Sequence, residues 1–327
     1  WLDFKTFIYL YSFIHIVPAL ILLVYLLVKK ELSLSLRSIA VPKKFRKIFI
    51  NFSLYNYINS LGALLVVSVD LLMLASMKGL EVTGVYSMII FLISAIQIPY
   101  RSLLRTTSPI VSVFWKERRM IEMNELYKKV SSISLIIALV LFTLVWINRD
   151  AFFSFLPAEF TPGMWVFFFL MMGRIIDMYY GLNGVILITS KKFKYDLYFS
   201  LGLIGLTVAL NYLLIPIYGM IGAAIATAVT FIIYNTARTV LVYKIYGLHP
   251  LELKQLWVVI ITIFTVFFFE RVFPVIENRY ISILVRSTCY LSVFGWMLFK
   301  LKLNDDIITY IKAFISSLKK KFLNNNA

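Results

Sequence analysis

Six charged side chains lie inside stretches of sequence that are otherwise apolar: Asp70, Arg101, Arg105, Arg174, Asp177 and Arg286. Arg101 and Arg105 are four residues apart, and Arg174 and Asp177 three, so on helices each pair shares a face. A charge placed inside a membrane is costly, and where it is kept it marks a site by default. A guanidinium offers a planar fork of donors that matches phosphate oxygens. Around a wet passage, Arg174, Arg101 and Arg105 would hold an anion. Asp70 and Asp177, with Asn183 and Asn211 from neighbouring apolar runs, would meet ligand hydroxyls or a coupling cation such as sodium or a proton.

The same residues admit a plainer reading. Arg174 and Asp177 would pair with one another or with Asp70. Arg101 and Arg105 would snorkel to head groups. Arg286 would do the same or pair nearby, and the two asparagines would bond between helices. His15 reads as a satisfied polar core residue, His249 lies far from it, and Cys289 reads as a small buried side chain with no metal-ligand spacing.

Several elements must position these residues. The chain has 327 residues, 61% hydrophobic and 15% charged, with a mean hydropathy of +0.86. Soluble domains are roughly half apolar and about a quarter charged. The apolar runs do not alternate in period two, and their length, roughly 17 to 25 residues, suits membrane-spanning helices and not barrel strands. An all-α polytopic bundle follows. Nine spans can be marked: Phe7–Val28, Phe52–Ala75, Val82–Leu104, Ser131–Ile147, Gly163–Ile188, Leu197–Ile215, Met220–Leu241, Leu256–Phe273 and Ile281–Phe299. The opening WLDFK has neither an initiator methionine nor a leader pattern, which reads as a chain whose amino-terminal part is missing.

Lysine and arginine orient the bundle. Alternate loops and the tail hold 24 of the 33 basic residues, among them Lys43, Lys44, Arg46, Lys47, Lys191, Lys192, Lys194, Arg238 and Lys319 to Lys321; the opposite side holds five. The basic loops and the carboxyl terminus are therefore expected in the cytoplasm. The net charge of +17 is mostly this signature together with attraction to anionic lipid, and no nucleic-acid partner is implied. The segment KERRMIEMNELYKK, 116–129, reads as an interfacial amphipathic connector, and the tail IKAFISSLKKKF as one lying along the cytoplasmic leaflet.

The run NYLLIPIYGMIGAAIAT, 211–227, stops one helix near Pro216 and restarts at Gly219. Small residues four apart, Gly219 with Ala223 and Gly222 with Ala226, let helix backbones approach closely in lipid. The run therefore reads as a tight antiparallel hairpin. It resembles the penultimate hairpin of the carboxyl-terminal lobe of polysaccharide flippases of the O-antigen type, within the multidrug, oligosaccharidyl-lipid and polysaccharide exporter superfamily. VDLLMLASMKGLEVTGVYSM, 69–88, resembles the start of that lobe. MGRIIDMYYGLNGVILITSKK, 172–192, resembles its span that ends at a basic turn.

The resemblance implies fourteen spans built as two six-helix lobes and two extra helices. Residues 1–48 would then be the last helix of the first lobe with a basic linker. Residues 49–247 would be the second lobe, 248–300 the extra pair and 301–327 a basic cytoplasmic tail. It implies a multi-pass protein of the bacterial cytoplasmic membrane. Such a protein flips an isoprenoid-pyrophosphate-linked oligosaccharide by alternating access for surface polysaccharide assembly, among membrane lipids and beside other assembly proteins. No catalytic constellation, nucleotide-binding loop or cofactor motif appears in the sequence, so a carrier and not an enzyme is expected. Two rivals stand beside it: an ion-coupled drug exporter of the same superfamily, and a membrane polysaccharide polymerase or glycosyl-transfer enzyme. The longest loop on the outer side, 148–162, is mostly apolar and offers little to the second rival.

Overall fold

A computed structural model describes residues 3–29, 42–272 and 278–301. The basic tail and most of the first basic loop lie outside the described residues, as does the side chain of His15. Every long element among the described residues is a helix, and six of them are long and apolar enough to cross a membrane. A bent pair brings that number to seven.

The chain divides into two compact units, through Phe52 and from Ser53. The first contains α1 (Phe4–Val28) and the opening of α2 (Lys43–Lys78). Helix α1 is apolar and exposed along nearly its whole length. The start of α2 presents Lys43, Arg46 and Lys47, with Phe45 stacked on Phe49 at 6.1 Å.

The second unit holds the rest of α2 and α3 (Leu80–Ile96), α4 (Ile98–Glu117), α5 (Met120–Ile147) and the short α6 (Arg149–Phe153). It continues with α7 (Gly163–Tyr180), α8 (Leu182–Ile188), α9 (Lys194–Tyr246), α10 (Leu253–Arg271) and α11 (Arg279–Lys300). Helix α7 is central, packing along α9, α5 and α3. Its buried face carries Val166, Phe167, Leu170, Met171 and Met178 at helical spacing. Helix α10 packs on α5, and α11 on α10.

The 53 residues of α9 are two antiparallel arms and not one rod. Asp196 and Arg238 are bonded although 42 residues separate them; on a straight helix that separation is about 63 Å. The reversal falls at Gly219, whose φ of 58° and ψ of −132° leave the helical region, a conformation that glycine adopts at little cost. A Cβ at Gly222 would lie 2.2 Å from the Leu214 carbonyl oxygen, so the arms touch backbone to backbone beside the turn. The small residues expected to allow this contact, Ala223, Ala224 and Ala226, are fully buried. On the opposite flank, a Cβ at Gly173 would come 2.7 Å from Cα of Ala228, which seats α7 directly on the second arm.

Two boundaries differ from those expected. The span 82–104 is broken at Gln97 into α3 and α4, which meet at a 49° bend. Pro99, in the first turn of α4, donates no backbone hydrogen bond, and the residue before a proline disfavours helix. The span 163–188 breaks at Gly181, where the Tyr100 hydroxyl fills the space that a Cβ would take, 1.5 Å from it. The segment 116–129 joins α4 to α5. It contains the left-handed turn at Arg118 and the first turns of α5. Charge patterning hid its inner stripe, in which Met123, Tyr127 and Val130 recur at helical spacing and are buried against Leu182, Ile186 and Val242.

Candidate functional site

Asp70, late in α2, is 2% exposed. Its carboxylate accepts from the Tyr86 hydroxyl at 3.0 Å, from Asn211 Nδ2 at 2.6 Å and from the Thr227 hydroxyl. The donors come from α3 and from the two arms of α9, so a single carboxylate ties three segments together. Oδ1 of Asn211 has no partner among the described residues.

One helical layer away, Arg174 lies on α7 with its guanidinium 4.3 Å from the centre of the Phe231 ring. Its Nη1 approaches Asp177 Oδ2 at 3.4 Å, a loose contact for an ion pair. Asp177 also accepts from Asn235 Nδ2 at 3.2 Å. The pairing expected from the three-residue spacing is therefore present, and it leaves most of the guanidinium fork uncommitted to Asp177. Arg101, exposed on the first turn of α4, donates to Gln97 Oε1 at 3.0 Å.

Asp70, Tyr86, Thr227, Arg101 and Arg174 line one cavity of about 80 Å³ together with Ile90, Ile93, Ser94 and Leu170. The space suits a few waters and no sugar. It brings two of the three expected anion-binding arginines to the same hollow as the expected carboxylate. Arg105 lies one turn further along α4 on the exposed side and does not line it. Asn211 stands behind Asp70. Asn183 is apart from the cavity, fully buried, with Nδ2 donating to the Asn235 carbonyl at 3.3 Å and to the Thr239 hydroxyl at 2.9 Å.

A second buried charge cluster escaped the sequence reading. Arg238, counted there among loop cations, is 9% exposed within the second arm of α9. Its guanidinium bonds to Asp196 of the first arm and donates to the Tyr234 hydroxyl at 2.7 Å. Gly184 makes room for it: a Cβ there would lie 2.6 Å from Nη2. The sequence did hold a signal, because Tyr234 and Arg238 are four apart and Arg238 lies three residues inside the end of the marked span at Leu241. The position of Arg238 near a basic loop obscured it.

Arg286 is buried in α11 and donates to the Phe269 carbonyl at 3.0 Å, joining α11 to α10. Arg149 pairs with Glu270 and lies over the Trp146 ring at 4.8 Å, fastening α6 to α10. Cys289 is half-buried against the main core, and His249 accepts no role beyond a ring contact with Tyr243 at 5.9 Å and a backbone bond to Asn124 Oδ1. No group of acidic, cysteine or histidine side chains suited to a metal ion occurs among the described residues.

Chemically, the Asp70 hollow combines a carboxylate, three hydroxyls and two guanidinium groups. Such a set can fix the charged end of a ligand or a small cation and can polarise water. No family model, curated protein or solved structure matches the chain.

Proposed function

We propose that this chain forms the substrate-bearing lobe of a two-lobe membrane carrier for an isoprenoid-pyrophosphate-linked oligosaccharide. In this reading nine helices span the bacterial cytoplasmic membrane with the carboxyl terminus inside. The observation that carries it is the shared cavity: Arg174 and Arg101 line the same hollow as Asp70, Arg101 from the exposed side of α4. Arg174 and Arg101 hold the pyrophosphate, and Arg105, one turn on along α4, extends the cationic edge. The sugar and pyrophosphate occupy a larger passage between lobes, of which the 80 Å³ hollow is a charged corner. The lipid tail stays in the bilayer while the head group crosses.

Asp70 supplies the coupling site. Its carboxylate and the Thr227 hydroxyl bring hard oxygen donors together, a chemistry that suits sodium or a proton, and the Asn211 amide nitrogen holds the carboxylate in place. Binding there would draw the two arms of α9 against α2, which links the ion to the helix positions around the passage. Asp177 and Asn183 support the walls through Asn235 and Thr239.

The direct experiment measures export of lipid-linked oligosaccharide in cells or vesicles carrying Arg174→Ala. We expect export to fall at least tenfold at unchanged protein level. Normal export in that variant would remove Arg174 from the site and the reading with it. A drug exporter is the second reading, favoured by the buried acidic Asp70; it requires that Arg174→Ala leave transport intact while Asp70→Asn abolishes efflux of an organic cation.

A further inference from the structure

The two arms of α9 part on their outer side into an apolar groove of about 580 Å³, away from the Asp70 cavity. Tyr195, Tyr198 and Gly202 line one wall, and Ile233, Ala237 and Leu241 the other. Neither wall uses a residue of the proposed carrier site.

Three features of the groove point to its occupant. Its mouth is cationic. Lys191 and Lys192 are exposed in the turn just before α9, and Lys192 Nζ lies 5.9 Å from the centre of the Tyr195 ring that forms the first rung. Lys244, exposed on the other arm, lies one turn past Leu241. The arms are antiparallel, so these cations converge on one end. That end is also aromatic: Tyr195 and Tyr198 are 40% and 65% exposed, with ring centres 6.4 Å apart, the composition of a membrane–water boundary. Finally, the first arm lines the groove from Tyr195 to Leu206, a rise of about 16 Å. That is roughly half of a ~30 Å hydrocarbon core and so the depth of one leaflet.

We infer that this groove binds one anionic glycerophospholipid, with its phosphate at Lys191, Lys192 and Lys244 and an acyl chain laid between the arms of α9. Basic pockets between membrane helices select anionic head groups in this way. Gly202 is what leaves the floor open, since a Cβ built there meets no atom within 4 Å. The same holds at Gly205, three residues along the same arm but outside the groove lining.

These glycines provide a matched test. The full chain is purified in detergent, titrated with phosphatidylglycerol or phosphatidylcholine, and the bound lipid is counted by native mass spectrometry. One phosphatidylglycerol per chain is expected, bound about tenfold or more tightly than phosphatidylcholine, given the contribution of each lysine near a head group. Gly202→Leu should abolish the high-affinity adduct and Gly205→Leu should keep it. Lys191→Gln with Lys192→Gln and Lys244→Gln, a change confined to exposed side chains, should erase the preference between head groups. Equal binding of the two lipids by the unaltered chain would overturn the inference, and so would an unchanged adduct in Gly202→Leu.

Discussion

The Asp70 cluster and the Arg238 cluster are both buried charges held by the same hairpin, and they differ in what lies beside them. Asp70 has donors from α3 and both arms of α9, and it faces a hollow that Arg174 and Arg101 also line. Arg238 bonds to Asp196 and Tyr234 with Gly184 pressed against it, and it lines none of the cavities described. The first cluster is arranged around space and the second around contact. Burial and charge alone therefore do not separate a site from a fastening; a hollow lined by the charged groups themselves does, since only Tyr234 of the second cluster borders a cavity, the apolar outer groove.

The comparison makes its strongest claim about stability. Arg238→Met leaves the Asp196 carboxylate buried without its partner, which costs about 3–5 kcal/mol. A large fall in the melting temperature in detergent is expected. Pairing it with Asp196→Leu should restore most of the loss, because no lone charge remains. A melting temperature that does not move in the single variant would dissolve the distinction between the clusters.

A smaller loss follows from Gly184→Ala. Its Cβ must displace the guanidinium it would meet at 2.6 Å, at roughly 1–3 kcal/mol. Chemical unfolding of the purified chain reads this directly, and a neutral result would show that Arg238 has room to move. Asp70→Asn keeps the shape of the side chain but replaces one acceptor oxygen with a donating NH2 group, so the three donors no longer all meet an acceptor, at about 1–3 kcal/mol. Its larger effect should appear in transport, as loss of dependence on the ion gradient. Smallest in stability is Arg174→Gln, whose contact with Asp177 is loose and partly exposed, and which should change the unfolding free energy by less than about 1 kcal/mol. A strong destabilisation there would make Arg174 a fastening like Arg238 and would narrow the contrast.

Much of this was legible in sequence for identifiable reasons. The α9 hairpin was readable because Pro216, Gly219 and Gly222 each impose a local backbone or packing constraint within a few residues. The pairing of Arg174 with Asp177 was readable because it is set by spacing on one helix. What could not be read were long-range partners. Nothing in the neighbourhood of Asp196 announces Arg238, 42 residues away, because a hairpin's facing rungs depend on where the turn falls. The close approach at Gly181 was hidden for the same reason, since its partner Tyr100 lies on α4. The buried face of Met123 and Tyr127 was masked by the surrounding Glu and Lys residues, which dominate a charge-based reading although they lie on the other side of the helix.

The two arms of α9 are indexed against each other at widely spaced rungs: Asp196 with Arg238, Asn211 and Thr227 through Asp70, and Leu214 with Gly222. An α-helix turns by about 100° per residue. One extra amino acid between Phe199 and Thr207 would therefore swing Asp196 away from Arg238 if Asn211 kept its place, or Asn211 away from Asp70 if Asp196 kept its own. Length in this hairpin is consequently a stricter requirement than composition: the arms can exchange one apolar side chain for another of similar volume, but they cannot gain or lose a single position.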